Sequence, residues 1–192
     1  MSLNLKTESE RRFFMKLKTG DAAKDFAVRD YLGKNISLAD LKGKYTLLAF
    51  FRNAECALCN LRVHQLLKEY PELEKKGLQV LAVFESTPES IRESVGKKSI
   101  PFSLIPDPSE KLYRLYGVGT SWLGVFKTIL TSKKEIKEAE EMGFEMKKVP
   151  GMKMDRMPAE FLIGPDLRVQ IAKFSKKVTD HIPLQDLKAH LN

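Results

Sequence analysis

Cys56 and Cys59 are the only thiols in a chain of 192 residues, and they stand as a CxxC pair. At this spacing on the first turn of a helix, one sulfur can attack an external disulfide or peroxide. The other can then close an intramolecular disulfide behind it. The apolar run Tyr45 to Phe51 ahead of the pair predicts a buried strand. Behind it, Cys59, Val63, Leu66, Tyr70 and Leu73 step by three and four residues, which predicts a helix brought to its end by Pro71 and Gly77. Cys56 is therefore expected as the exposed sulfur at the helix N-terminus, where free N–H groups and the helix dipole favour a thiolate. Cys59, one turn further in, faces the core as the resolving thiol. Arg52 and Arg62 favour ionisation of Cys56 and Glu55 opposes it, so the sign of the net shift stays open. Two buried cysteines serving as small hydrophobes are the bland alternative, which makes no use of the strand, turn and helix around them. A zinc site is disfavoured because His64, His181 and His190 lack paired ligand spacing.

The elements that must position the pair follow from the same patterns. Asp25 to Asp30 and Ile36 to Leu38 predict a hairpin-like entry around Gly33, with Ser37 capping a helical turn that ends at Gly43. Leu78 to Glu85 predicts a second buried strand, and Thr87-Pro88 opens a helix with a cap followed by proline. Strand, helix, strand in this order predicts a parallel pair with a right-handed crossover. Phe102 to Ile105 reads as a third strand, a helix carrying Leu112, Leu115 and Tyr116 starts at Asp107-Pro108, and Ile182 to Leu191 closes the chain as a helix. Ala159 to Ile163 and Val169 to Phe174 predict an antiparallel hairpin that returns the chain to the cysteine end of the sheet. Asp180 and His181 are then candidate neighbours of the thiols, where a histidine can take a proton from sulfur. The competing reading is a helix-capping aspartate followed by a solvent-facing histidine.

Residues 1–19 read as an accessory arm with Leu5, Phe13, Phe14 and Leu17 as docking points, and 20–192 as a single domain with an insertion at about 119–157. In the insertion, Trp122, Leu123, Val125, Phe126, Ile129 and Leu130 form an apolar helical patch, followed by charged residues and by Met142, Met146, Met152, Met154 and Met157. Such a patch suits an extra helix packed over the sheet, a subunit interface or a cover over the redox site. Hydrophobic residues at 43% and charged residues at 30% make a folded globular chain the default. The formal charge is +8, but basic and acidic residues interleave, as in Lys133 to Glu141, and no nucleic-acid motif accompanies them. Nucleic acid is therefore not an expected partner. No apolar run reaches the length of a membrane span and the N-terminus lacks the apolar core of a signal peptide, so no membrane partner and a cytoplasmic location are expected. A lone CxxC suits a reducing compartment in which the pair cycles.

This order of elements, with CxxC at a strand-to-helix junction and Pro158 just before the later hairpin, resembles a thioredoxin fold. More narrowly, it resembles the peroxiredoxin-like branch of the alkyl hydroperoxide reductase and thiol-specific antioxidant (AhpC/TSA) family. The resemblance runs from about residue 20 to the C-terminus. It rests on Phe50-Phe51-Arg52 through Cys59, Leu104-Ile105-Pro106-Asp107, Leu115-Tyr116-Gly117-Val118, Pro158 through Ile163 and Asp180-His181-Ile182-Pro183. It implies an α/β chain with a central mixed β-sheet flanked by helices and an extra helical insertion before the last β-hairpin. Laid on the peroxiredoxin pattern, the peroxidatic cysteine falls at Cys59, the threonine at Cys56, the proline at Arg52 and the arginine close to Pro158. With those peroxide-holding groups changed, the reaction with peroxide is expected to be slow. Laid on thioredoxins, Cys56 is the nucleophile, Cys59 resolves, and Pro158 takes the place of the cis-proline that aligns a partner's backbone, while Glu55 replaces a tryptophan. The function implied is a thiol redox protein whose Cys56–Cys59 couple reduces disulfides and, more slowly, peroxides. Arg52 and Pro158 would position the substrate, and Arg62 and His181 would assist. No metal or organic cofactor is implied. The expected partners are an external thiol reductant of the thioredoxin or glutathione type, the disulfide or peroxide substrate and, on the interface reading, a second copy in a homodimer. The alternatives are a copper-delivery-like module using both sulfurs and His181, whose relatives space their cysteines by three residues, and a structural dimer with idle thiols.

Overall fold

Strands β1 (Ala27–Arg29) and β2 (Asn35–Ser37) form a small antiparallel pair ahead of the main sheet. The chain then runs through β3 (Tyr45–Phe50), α1 (Ala57–Lys75), β4 (Leu78–Phe84), α2 (Pro88–Glu93), β5 (Ser103–Pro106) and α3 (Lys111–Leu115). The insertion holds α4 (Trp122–Thr131) and α5 (Lys133–Glu141), and β6 (Ala159–Ile163), β7 (Val169–Phe174) and α6 (Leu184–His190) complete the order. This computed structural model describes residues 16–145 and 152–191; the expected docking points Leu5, Phe13 and Phe14, and Met146, lie outside them. Leu17, the remaining docking point of the arm, is buried.

The main sheet has the order β5-β4-β3-β6-β7, with β3, β4 and β5 parallel and β6 and β7 antiparallel. Alternate residues of β3 serve two cores. Leu47 and Ala49 pack with Leu66 and Leu73 of α1, whereas Leu48 and Phe50 pack with Tyr113, Tyr116 and Phe161 on the opposite face. Burial on both faces is why the strand reads as an unbroken apolar run and not as an alternation. This is the expected thioredoxin-like architecture, a central mixed sheet flanked by helices, with α4 and α5 inserted before the last hairpin. No helix among the described residues is long and apolar enough to cross a membrane.

Several local expectations are corrected. Pro71 lies inside α1, which continues to Lys75. Proline removes one N–H and crowds one carbonyl, and the burial of Tyr70 and Leu73 on either side of it offsets that cost. The stop comes at Gly77, whose φ of +84° and N–H bond to the Glu74 carbonyl close the helix end. Ser37 caps nothing; its N–H and hydroxyl both donate to Asp40. Asp107 caps α3 from a distance, accepting from the N–H groups of Lys111, Leu112 and Tyr113. The helix therefore begins after Glu110 instead of at Pro108.

Candidate active site

The loop from Arg52 to Cys56 is pinned from three sides. The Tyr113 hydroxyl donates to the Phe51 carbonyl at 2.7 Å, and the Glu85 N–H donates to the Arg52 carbonyl at 2.8 Å. The Ala54 N–H donates to Ser86 Oγ at 3.0 Å, and Asn60 Nδ2 donates to the carbonyls of Ala54 and Cys56 at 2.8 and 3.1 Å. Cys56 is the N-cap of α1, as its place in the sequence predicts. The N–H groups of the open first turn, Leu58 and Cys59 among them, favour its anionic form.

Arg52 touches both sulfurs. Its backbone N–H donates to Cys59 Sγ at 3.4 Å, and its guanidinium Nη1 lies 3.8 Å from Cys56 Sγ. The cysteines are free thiols, and each acts on the ionisation of the other. The neighbouring Cys59 is the largest influence on Cys56. Burial opposes it, and the charge of Arg52 and the helix N–H groups add to it, so the Cys56 thiol is pulled down to about 6. Burial pushes the Cys59 thiol up, and the neighbouring Cys56 pushes it further. The thiol pulled down is therefore Cys56 and the one pushed up is Cys59.

The expectation that Cys56 is exposed is corrected: its residue is 0% accessible, and Cys59 is buried as well. Arg52 Nη2 also donates to the Met154 carbonyl at 2.6 Å, which ties the segment before β6 to the residue that lies beside both sulfurs. A contact spanning 102 residues leaves no local mark in the sequence.

Arg62 and His181 do not reach the sulfurs. Arg62 forms a two-point ion pair with Glu160, both bonds 3.0 Å, and also donates to the Ile182 carbonyl. His181 Nδ1 lies 2.9 Å from Glu160 Oε1 but off the axis of a hydrogen bond, and its ring lies 6.2 Å from that of Phe51. The returning hairpin does bring His181 to the cysteine end, yet its partner is the carboxylate. It is largely buried, which corrects the solvent-facing alternative. Asp180 is no helix cap either; it accepts from the Lys176 N–H and pairs with Lys173. Glu55 turns away to the hydroxyls of Ser90 and Ser94, so it does not oppose the Cys56 thiolate as expected. Pro158 sits just before Ala159, the residue that pairs with Phe50, and so lies beside the strand-to-helix junction. Its peptide bond is trans, the default even before proline, and its carbonyl accepts from Ser175. The match to a cis-proline therefore holds in position only. His64 is half-buried with its ring 6.4 Å from Phe144. Among the described residues no three of His, Cys, Asp and Glu gather as metal ligands, and His181 is not placed to join the sulfurs in one.

Two buried groups escape a reading of the sequence. Glu160, on β6, holds Arg62, His181 and the Ile182 N–H at once. Its signal is a single acid in the apolar run Ala159 to Ile163, where only a paired carboxylate survives burial. Arg156 donates to Glu85 at 2.5 Å, to Glu110 at 2.6 Å and to the Val118 carbonyl at 3.0 Å. Its guanidinium lies 4.8 Å over the Tyr113 ring, bracing the tyrosine that holds the Phe51 carbonyl.

Replacing Arg52 with methionine removes a positive charge from beside Cys56. The midpoint pH for alkylation of Cys56 by iodoacetamide should then rise from near 6 toward the ordinary thiol value of about 8.5. An unchanged midpoint would show that the thiol pair and the helix alone set the ionisation.

Comparison with known proteins agrees with this arrangement. The chain is 28% identical over 111 residues to a chloroplastic peroxiredoxin Q from Gentiana triflora, covering 58% of this chain and 51% of that one. It is 31% identical over 105 residues to the thiol-disulfide oxidoreductase ResA of Bacillus thuringiensis, covering 54% and 60%. The chain thus spans between half and two thirds of the length of the curated relatives it matches. The crystal structure of peroxidoxin BcpB from Mycobacterium tuberculosis shares the fold at a TM-score of 0.66 and 16% identity, over 91% of this chain and 96% of that one. That of the bacterioferritin comigratory protein from Xanthomonas campestris does so at 0.64 and 20%, over 90% and 100%. The model of the AhpC/TSA family matches residues 19–172, four fifths of the sequence and every strand of the sheet but the last two residues of β7, and the chain belongs to that family.

Proposed function

We propose that the chain is a thiol–disulfide oxidoreductase in which Cys56 is the nucleophile and Cys59 the resolving thiol, with peroxides as slower substrates. The observation that carries this reading is that one residue, Arg52, contacts both sulfurs of a pair of free thiols at a helix N-terminus. The Cys56 thiolate attacks a substrate disulfide, the S–S bond breaks, and one thiolate leaves with the proton that Cys59 gives up. Cys59 then attacks Cys56 Sγ, the second thiolate departs, and the Cys56–Cys59 disulfide holds the oxidising equivalents. With a hydroperoxide the O–O bond breaks instead, an alcohol or water leaves, and Cys59 displaces water from the Cys56 sulfenic acid. An external thiol of the thioredoxin or glutathione type returns both sulfurs to thiols. A reducing compartment, the cytoplasm, suits that cycle.

Because Cys56 is covered, each turnover begins with release of the Arg52 bond to the Met154 carbonyl, a local opening. Release frees a guanidinium beside the thiolate, where it can hold the incoming substrate together with the backbone at Pro158. The peroxide reaction stays slow because the positions of the family's threonine and arginine carry Cys56 and Pro158, and Arg156 is committed to Glu85 and Glu110.

The test is a stopped-flow comparison of the reduced chain with a protein disulfide, hydrogen peroxide and an organic hydroperoxide, with thiols counted before and after. The expected result is loss of both thiols together as an intrachain disulfide, fastest with the protein disulfide. A peroxide rate constant near the ceiling of about 10⁸ M⁻¹s⁻¹ would reverse the order of substrates, and thiols that stay alkylatable after oxidation would remove the couple itself.

A further inference from the structure

Helix α4 is mounted with its polarity inverted. Its inward stripe is small and polar: Ser121 caps it by accepting from Gly124 N at 3.1 Å, and Thr128 donates to the Gly124 carbonyl at 2.8 Å and accepts from Val178 N at 2.7 Å. Ser132 at the C-terminal end meets the hydroxyl of Thr179 at 2.6 Å. Gly124 lets Met157 pack close, because a Cβ there would lie 2.6 Å from the end of the Met157 side chain, which would have to move aside. Facing outward instead are Trp122, Leu123, Phe126, Ile129 and Leu130, each between 58% and 81% exposed. A surface helix ordinarily turns such residues toward the core.

We infer that this face of α4 is the docking surface for a second copy of the chain. With aromatic side chains of about 150–250 Å² apiece, the five residues leave on the order of 600 Å² of apolar surface, at or above the largest patch of an ordinary monomer. That is most of the roughly 800 Å² that each partner contributes to a stable protein interface. Within the insertion itself charge gives no pull toward an anionic surface, although Lys16 and Lys176 line the adjoining cleft. Lys127, Lys133, Lys134 and Lys137 are matched by Glu135, Glu138, Glu140 and Glu141, so α4 and α5 together are neutral although the whole chain carries +8. A two-fold pair of helices meets its own apolar face, which is complementary to itself. The seated copy would border the cleft of about 580 Å³ that Leu123, Gly124 and Lys127 share with Met157 and Pro158. Assembly would then flank the approach to the redox site.

Trp122 is the only tryptophan in the chain and lies within the patch, so it reports directly. The experiment is sedimentation velocity of the reduced full-length chain from low to high micromolar concentration, with tryptophan emission and acrylamide quenching on the same samples. The expected result is a dimer whose Trp122 emission moves to the blue and whose quenching constant falls by roughly half as the dimer forms. Phe126→Glu and Leu130→Glu, both at exposed positions, should each halve the mass and hold Trp122 in the quenchable, red-shifted state with the far-ultraviolet spectrum unchanged. A monomer at every concentration overturns the inference, whether Trp122 is then open, shielded within the chain, or buried only on adding vesicles of phosphatidylcholine and phosphatidylglycerol. A dimer that survives both substitutions places the interface elsewhere and overturns it equally.

Discussion

Cys56→Ser is expected to abolish turnover, with a loss of at least about 10³-fold, because it removes the one sulfur that ionises near neutral pH. The remaining Cys59 keeps its proton, is buried and should be alkylated only slowly at pH 7. Cys59→Ser has a different signature. A serine hydroxyl can still donate to the Cys56 sulfur, so the thiolate persists and the first attack proceeds, but nothing closes the second step. Mixed disulfides through Cys56 should therefore accumulate, visible as adducts by intact-mass spectrometry after exposure to an aromatic disulfide. The rate of the first attack should climb with pH through about 6 and level off above it. The sign follows from a lowered thiol: below that value the sulfur is protonated and inert, above it fully anionic. Rapid conversion of Cys59 to sulfenic acid by peroxide in the Cys56→Ser variant would instead assign the attacking role as the peroxiredoxin pattern does, to Cys59.

What the sequence carried of this site is the part written in short-range pattern. The buried strand, the helix behind it and the inward face of Cys59 all follow from residues within twenty positions of one another, and the order of elements sets the sheet. The hairpin from Ala159 to Phe174 is equally local, and it returns His181 to the right end of the sheet. What it could not carry is which partner a long polar side chain chooses once several lie within reach. Arg62 is drawn to Glu160 rather than to a sulfur because a full carboxylate in a buried setting outweighs a thiolate further off. Arg52 reaches the Met154 carbonyl, a partner 102 residues away that no local pattern announces. The apolar patch of the insertion was legible as a helix, but the side it turns to solvent depends on contacts to Met157 and Val178 that lie beyond any helical period.

Glu160→Gln is expected to cost about 3–5 kcal/mol, because it leaves Arg62 buried without its counter-charge. Glu160 is 1% exposed and receives two bonds from Arg62 and one from the Ile182 N–H, with His181 beside it. In a chain of this size the loss corresponds to a fall in Tm of about 10 °C or more. Burial raises the carboxyl, yet Arg62 and then His181 outweigh burial and bring it down to about 2. A carboxyl lowered in the folded state stabilises fully above its unfolded value of about 4.3 and loses that contribution as pH falls toward 2. The native chain should therefore lose Tm steeply across that window, while Glu160→Gln should lose less of it there. Replacing both partners, Arg62→Met with Glu160→Met, should recover part of the loss, since the buried charge goes with its partner. A single-variant cost below about 1 kcal/mol would mean that water reaches Arg62. The alkylation midpoint of Cys56 distinguishes a structural pair from a member of the redox site. The pair joins α1, β6 and the turn before α6 but touches neither sulfur, so the midpoint should stay where it is even as the fold weakens.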